Sequence, residues 1–322
     1  MTSAVFEQIA ALGQSIWYDN ISREVLASGE LARLIAAGEV RGVTSNPTIF
    51  EKAITGGSHY DAAVAQLLAA EPDLGTEQLY ERLAIEDICA GADLLLPVFE
   101  ASRGSDGHIS IEVSPRLAHD TAATVDEARR LHRAIGRPNV MIKVPVTAAG
   151  LPAIAQLIGD GISVNVTLIF SHQDWRDAQG AYLTGLESWR ARGGDLTRVS
   201  SVASFFVSRI DTAVDALLPE ASPLRGSIAV AYSKLAYREF ARSLAAPRCS
   251  ELTAAGGQVQ RLLWASTGTK NPAYSDLLYV ENLFELHTVN TVPPATLAAL
   301  RDHGRVAPTA ATGLEQAAAA LA

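Results

Sequence analysis

The stretch Asn139-Val-Met-Ile-Lys-Val-Pro-Val-Thr147 decides how the rest of the chain is read. Gly136-Arg137-Pro138 bounds it on one side and Gly150 follows on the other. A short apolar run between such breakers predicts a buried strand. Lys143 interrupts that run, and lysine is almost never fully buried without a partner or a task. Two readings stay open on the residue alone. A strand-end lysine can carry its ammonium out to water along an apolar stem. Alternatively, the amine is a nucleophile that forms a Schiff base with a carbonyl substrate. With an ordinary pKa near 10.4, only about one lysine in a few thousand is neutral at pH 7. An apolar strand environment raises that fraction by disfavouring the cation.

Working outward, strand-like and helix-like segments alternate from end to end. Further short apolar strands are predicted at residues 15–18, 42–44, 109–113, 163–168, 199–206, 262–265 and 287–289, with the lysine strand at 140–144. Between them, helical spacing covers residues 22–36, 61–70, 77–102, 118–135, 150–158, the segment through Trp175 and Trp189, 210–218 and 228–244. Pro293-Pro294 opens a further helix over 296–303, and the alanine-rich tail from Gln316 reads as the start of another. Asp61 and Thr76 are candidate helix caps. Eight strands separated by helices predict an α/β fold, a single (β/α)8 TIM barrel with extra helices spanning residues 1–322 as one domain. No repeat, low-complexity linker or charge block divides it.

Composition narrows the partners. The 322 residues are 48% hydrophobic and 19% charged, enough for a large core. Net charge is 26 minus 35, or -9, with no basic run. Nucleic acid and an anionic membrane surface are therefore not expected as main partners, while phosphorylated small molecules need only two or three local cations. Cys89 and Cys249 lack a CxxC or His-rich neighbourhood, so a reduced compartment is expected. No signal peptide or bilayer-spanning run is evident, and a cytoplasmic location is expected.

In a barrel, chemistry sits at the C-terminal ends of the strands. Polar residues gather at those ends: Asp19-Asn20, Thr44-Ser45-Asn46, Ser110 with Glu112, Lys143, Asn165 with Thr167, Ser204 with Arg209, and Ser266 with Lys270. Each has a structural explanation when taken singly. Asp19 precedes a helix and could cap it, and Asn46 before Pro47 is an ordinary turn former. Asn165 and Thr167 alternate with valines as on any half-exposed strand. Seven strands pointing polar groups one way imply a site. GxGxxG after a strand, GxxxxGK[ST], GxSxG and HExxH are all missing, so no cofactor and no metal are expected and metal-free amine catalysis is favoured.

The residues also carry a family likeness. Ser15-Ile-Trp-Tyr-Asp-Asn-Ile-Ser22, Gly42-Val-Thr-Ser-Asn-Pro-Thr-Ile-Phe50, Ile109-Ser-Ile-Glu-Val-Ser114 and Val140-Met-Ile-Lys-Val-Pro145 are four of its motifs. Val164-Asn-Val-Thr-Leu-Ile-Phe-Ser171, residues 199–211 and Trp264-Ala-Ser-Thr-Gly-Thr-Lys-Asn-Pro272 complete it in order over nearly the whole chain. The chain resembles the class I transaldolases, particularly their actinobacterial-type branch.

That resemblance implies transfer of a dihydroxyacetone unit from a ketose phosphate, such as fructose 6-phosphate or sedoheptulose 7-phosphate, to an aldose phosphate. It implies Lys143 as the Schiff-base nucleophile and Asp19 as the base that takes the C4 hydroxyl proton. Glu112 with Thr167 would hold and activate the water of carbinolamine formation and breakdown. Thr44, Asn46, Ser110 and Asn165 would bind the dihydroxyacetone hydroxyls. Ser204, Arg209 and Ser266 would receive the phosphate, with Phe206 lining the pocket; where other branches place a second arginine this chain offers Gly268 or Lys270, depending on the alignment, and Lys270 is the favoured one. The chain departs from the resembled pattern at residues 219–225, which look shortened, and at its end, which comes soon after the eighth predicted strand. A wider acceptor side is the corresponding expectation. Two rival readings remain: a specialised transaldolase using an unusual acceptor such as ribose 5-phosphate, and a barrel that binds sugar phosphates without turnover. Oligomeric state is not legible here.

Overall fold

A computed structural model describes residues 4–322 of the chain. Seven parallel strands run β1 Gln14–Tyr18, β2 Ile109–Glu112, β3 Val140–Pro145, β4 Val164–Ile169, β5 Ser201–Phe206, β6 Arg261–Ala265 and β7 Thr288–Val292. They form one curled sheet in the order β1-β7-β6-β5-β4-β3-β2, with helices in the connections. The fold is α/β, as expected. Residues 42–44, expected as a strand, form none. Val43 instead makes a single parallel bridge to Tyr18 of β1 and another to Ile109 of β2. Those bridges carry hydrogen bonds from Thr44 N to Tyr18 O (2.9 Å) and from Val43 N to His108 O (2.8 Å). The two edge strands thus meet through residues 41–44, since Arg41 N also donates to Ile16 O, Tyr18 N to Gly42 O, Gly107 N to Arg41 O and Ser110 N to Val43 O.

Most predicted helices are present, with altered bounds. The one expected over 22–36 is two, Arg23–Ala27 and Glu30–Ala36, because Gly29 between them adopts a φ of 75° that no right-handed helix contains. The expected turn at Pro47 opens a helix, Pro47–Thr55, in which proline takes the first helical position, where its missing N–H costs nothing. Helices Ala4–Ala11 and Pro247–Ala254 lie outside the expected set. Asp61 and Thr76 are the first helical residues rather than caps, and the cap positions fall to Tyr60 and Gly75. The tail helix, Leu314–Ala320, packs on Ala231 and Leu235. No helix among the described residues is long and apolar enough to cross a membrane.

The main core lies between the outer face of the sheet and its helices. A smaller cluster of Trp17, Met141, Val202, Leu263, Ala265 and Val289, packed against Phe206, fills the concave side. Side chains alternate faces along a strand, so the residue two positions later points the same way, one layer nearer the C-terminal end. Trp17 is thereby followed by Asp19, Met141 by Lys143, Val202 by Ser204 and Val289 by Thr291.

Beneath that cluster sits Asp106, 5% exposed. Its carboxylate accepts from Ser15 Oγ (2.7 Å), Trp17 Nε1 (3.2 Å), Arg41 Nε (2.8 Å) and Arg261 Nη2 (3.1 Å). Burial opposes its ionisation, but Arg261 and Arg41 outweigh that and hold the carboxyl below the ordinary aspartate range. A depressed folded value means that the stabilisation is complete above the unfolded value of about 3.9 and is lost as the pH falls through the folded one. Asp106→Asn should therefore cost roughly 3 kcal/mol at pH 7, since it leaves two guanidinium groups without their buried anion. Urea unfolding at pH 7 and near pH 3 checks this: the difference from wild type should shrink in acid. A pH-independent difference would assign the loss to altered geometry instead of charge.

Candidate active site

Lys143 is 7% exposed on β3, between Glu112 of β2 and Asn165 of β4 in the strand register. Its Nζ lies 2.7 Å from Glu112 Oε1 and donates to the Ser45 carbonyl at 3.0 Å. The lysine does not escape to water along its stem. Its amine is held inside by a carboxylate and a backbone oxygen. Ser45 is fixed in turn by its hydroxyl, which donates to the Ser110 carbonyl at 2.7 Å.

Asp19 stands at the end of β1. It does not cap the following helix, because Ser22 does so, accepting from Val25 N at 3.1 Å. Its Oδ1 instead accepts from Thr44 Oγ1 at 2.6 Å, and that hydroxyl also lies 2.6 Å from Thr291 Oγ1 of β7. Burial pushes the Asp19 carboxyl above its ordinary range. The Thr44 hydrogen bond and the charge of Lys143 offset part of that rise, Glu112 adds to it, and Lys270 offsets a little more. The exposed ammonium of Lys270, on the loop after β6, thus acts electrostatically on the same carboxylate.

A second polar array crosses the concave face. Asn165 Nδ2 donates to Ser110 Oγ (3.1 Å), and Ser204 Oγ donates to Asn165 Oδ1 (2.7 Å), so β2, β4 and β5 are cross-linked around Lys143. Thr167, 5% exposed, follows Asn165 by two residues. Asn46 uses its Oδ1 to cap the Pro47–Thr55 helix, accepting from Ile49 N at 3.0 Å, which leaves its Nδ2 as the group available to a substrate.

The remaining candidates lie at the rim. The Arg209 guanidinium is exposed and sits 5.1 Å above the Phe206 ring, which itself packs 5.2 Å from Phe170. Ser266 is held to the neighbouring strand end by Ser208, through Ser208 N to Ser266 O and between the two hydroxyls, each 3.0 Å. Two non-glycine residues here have left-handed backbones, Leu168 (φ 61°) at an irregularity of the β4–β5 register and Ser266 (φ 57°). Such conformations cost of order 1–3 kcal/mol and gather at functional sites.

Two participants escaped the sequence, and a third, Ser45, stood in the polar set without its role. Thr291 lies beyond the strand end predicted at residue 289, although its two-residue spacing from Val289 was a usable signal. Ser45 contributes a carbonyl, which no side-chain pattern announces. Ser208 looks like an ordinary first-turn serine. Among the described residues, no group of three or more His, Cys, Asp or Glu is placed to hold a metal ion.

Residues 16–322 match the family described as Transaldolase/Fructose-6-phosphate aldolase. The chain belongs to that family. A transaldolase of Thiobacillus denitrificans is 49% identical over 323 residues, covering 99% of this chain and 89% of the relative. Transaldolase 1 of Streptomyces coelicolor is 49% identical over 317 residues, covering 97% and 83%. Transaldolase 2 of a Nostoc species is 47% identical over 324 residues, covering 96% and 84%. Family and relatives together support transaldolase activity.

Carboxyl-carbon NMR titration should place Asp19 above the free-aspartate value of about 3.9. Thr44→Val should raise it further, because the hydrogen bond that favours the anion is lost. A wild-type value at or below the free one, or a fall in Thr44→Val, contradicts this electrostatic account.

Proposed function

We propose that this chain transfers a dihydroxyacetone unit from a ketose phosphate to an aldose phosphate through a Schiff base on Lys143, within a (β/α)8 barrel completed by the Val43 bridges. The observation that carries it is the setting of one amine. Lys143 Nζ is enclosed at 2.7 Å from a carboxylate, in a polar layer contributed by several strands, with Asp19 at the end of another strand.

The chemistry divides among those groups. Glu112 beside the amine takes its proton and so frees the nitrogen lone pair for attack on the ketose C2 carbonyl. The carbinolamine then loses water, whose protons Glu112 and Thr167 handle, and leaves a protonated imine. Asp19 removes the C4 hydroxyl proton. The C3–C4 bonding pair moves into the iminium system, an aldose phosphate departs, and an enamine stays on the enzyme. An acceptor aldehyde is attacked by the enamine carbon, and the same steps run backward. Thr44, Asn46, Ser110 and Asn165 orient the three-carbon unit by its hydroxyls. Ser204, Arg209, Ser266 and Lys270 hold the distal phosphate, for which a guanidinium fork is well suited.

Borohydride reduction with fructose 6-phosphate should attach a dihydroxyacetone-sized mass to Lys143 alone. Asp19→Ala should still be trapped but lose at least about 100-fold in turnover, the scale of one general base. Glu112→Gln should slow imine formation itself, and equal failure of both variants at one step would undo the division of roles. The iminium is the electron sink, so EDTA should leave the rate unchanged.

The family description covers release as well as transfer, and a single experiment separates them. Without acceptor, donor cleavage should stop after about one equivalent per active site, since the enamine waits for an aldehyde. Steady release of free dihydroxyacetone would overturn transfer while leaving the Schiff base standing.

A further inference from the structure

The helix Ser208–Asp215, whose first turn carries Arg209, holds two carboxylates one turn apart that the chemistry above does not use. Asp211 is 1% exposed and Asp215 8%. Asp211 Oδ1 accepts from Ala229 N (2.7 Å) and its Oδ2 from the Tyr279 hydroxyl (3.1 Å). Asp215 Oδ1 accepts from Gly226 N (3.1 Å) and its Oδ2 from the Tyr274 hydroxyl (2.7 Å). Each carboxylate thus gives one oxygen to the backbone at or just before the start of the helix Ile228–Ser243 and the other to a tyrosine.

Both tyrosines come from the segment after β6, the one that carries Lys270. That segment is fixed to the same helix at its other end, where Ser208 binds Ser266. Gly226 packs directly beneath Tyr274: with a φ of 71°, it has no room for a Cβ, which would come 2.8 Å from the ring. Arg225 closes the far end by donating to the Asp215 and Leu218 carbonyls at 2.6 and 3.1 Å. An exposed loop bearing a cation is therefore anchored at three points along one short helix bearing another cation.

We propose that Asp211 and Asp215, through Tyr279 and Tyr274, are positioning residues that set the separation of Arg209 and Lys270 and so determine affinity for the substrate phosphate. The proposal rests on the assignment of those two cations to the phosphate. Neither carboxylate touches substrate. Each holds the loop in the one arrangement in which both cations reach the same anion, so the ordering cost is met before binding.

The test compares Tyr274→Phe and Tyr279→Phe with wild type, using fructose 6-phosphate, unphosphorylated fructose and inorganic phosphate as a competitive inhibitor. Each lost hydroxyl should raise KM for fructose 6-phosphate and Ki for phosphate together by roughly three- to tenfold, the scale of one hydrogen bond, with kcat within about twofold. The kcat/KM for fructose should not change. Equal losses on both sugars, or no change in KM, overturn the proposal. If Tyr279→Phe does not fold, Tyr274→Phe, whose ring is partly exposed, decides alone. Arg209→Ala in the same assay tells the two possible failures apart. If it affects both sugars equally, the phosphate assignment is wrong. If it spares fructose while Tyr274→Phe does nothing, only the anchoring is wrong.

Discussion

One buried anion governs how this sheet comes together. A parallel strand pair is normally joined directly by an evenly spaced ladder of hydrogen bonds, whereas β1 and β2 are joined through residues 41–44, whose backbone makes three hydrogen bonds to each side. Asp106 lies beside that seam. It draws Arg41, just before Val43, Ser15 and Trp17 on β1, and Arg261 on β6 to a single carboxylate. Charge-assisted bonds there add side-chain ties to the backbone bonds of residues 41–44. Trp17 is both a partner of Asp106 and a member of the apolar cluster beneath the site. The position of Asp19, two residues further along, therefore inherits its accuracy from the seam.

The polar layer above that cluster carries an energetic cost of its own. Burying an amine and a carboxylate together removes two charges from water, and such pairs are rarely net stabilisers. Lys143 and Glu112 offset the loss by contact at 2.7 Å and by the Ser45 carbonyl. The same enclosure makes the amine chemically useful, since its proton has an acceptor at hand. Asp19 shows the complementary case, a carboxyl raised by burial and only partly relieved by Thr44. Two carboxylates a few residues beyond one apolar layer thus occupy different electrostatic settings, a condition for dividing acid and base roles.

Much of this was legible because alternation along strands is a local property. Lys143, Glu112 and Asn165 stood out as polar groups in short apolar runs, and the register places them side by side. Other features depend on geometry that a linear pattern does not hold. Gly29 divides a helix by a backbone angle, while the surrounding periodicity runs on without a break. Pro47 looks like a turn and starts a helix, since both uses fix the same φ. The bonding of Asp106 to residues 91 before and 155 after it is invisible until the chain folds. Residues 42–44 had a strand's composition and hydrogen-bond to both sides, but only Val43 forms bridges.

Leu168 and Ser266 place left-handed backbone on either side of the strand that leads to Arg209. For anyone seeking a more heat-resistant variant, Leu168 is the obvious place to install glycine, which adopts such angles without steric penalty, whereas at Ser266 the same change would also remove the hydroxyl in contact with Ser208. The gain would come with a looser rim, because a residue that can sit in several conformations no longer fixes the strand end it terminates. Thermal robustness and fidelity of the rim thus pull in opposite directions at an identifiable residue, and selection for one alone would be expected to erode the other.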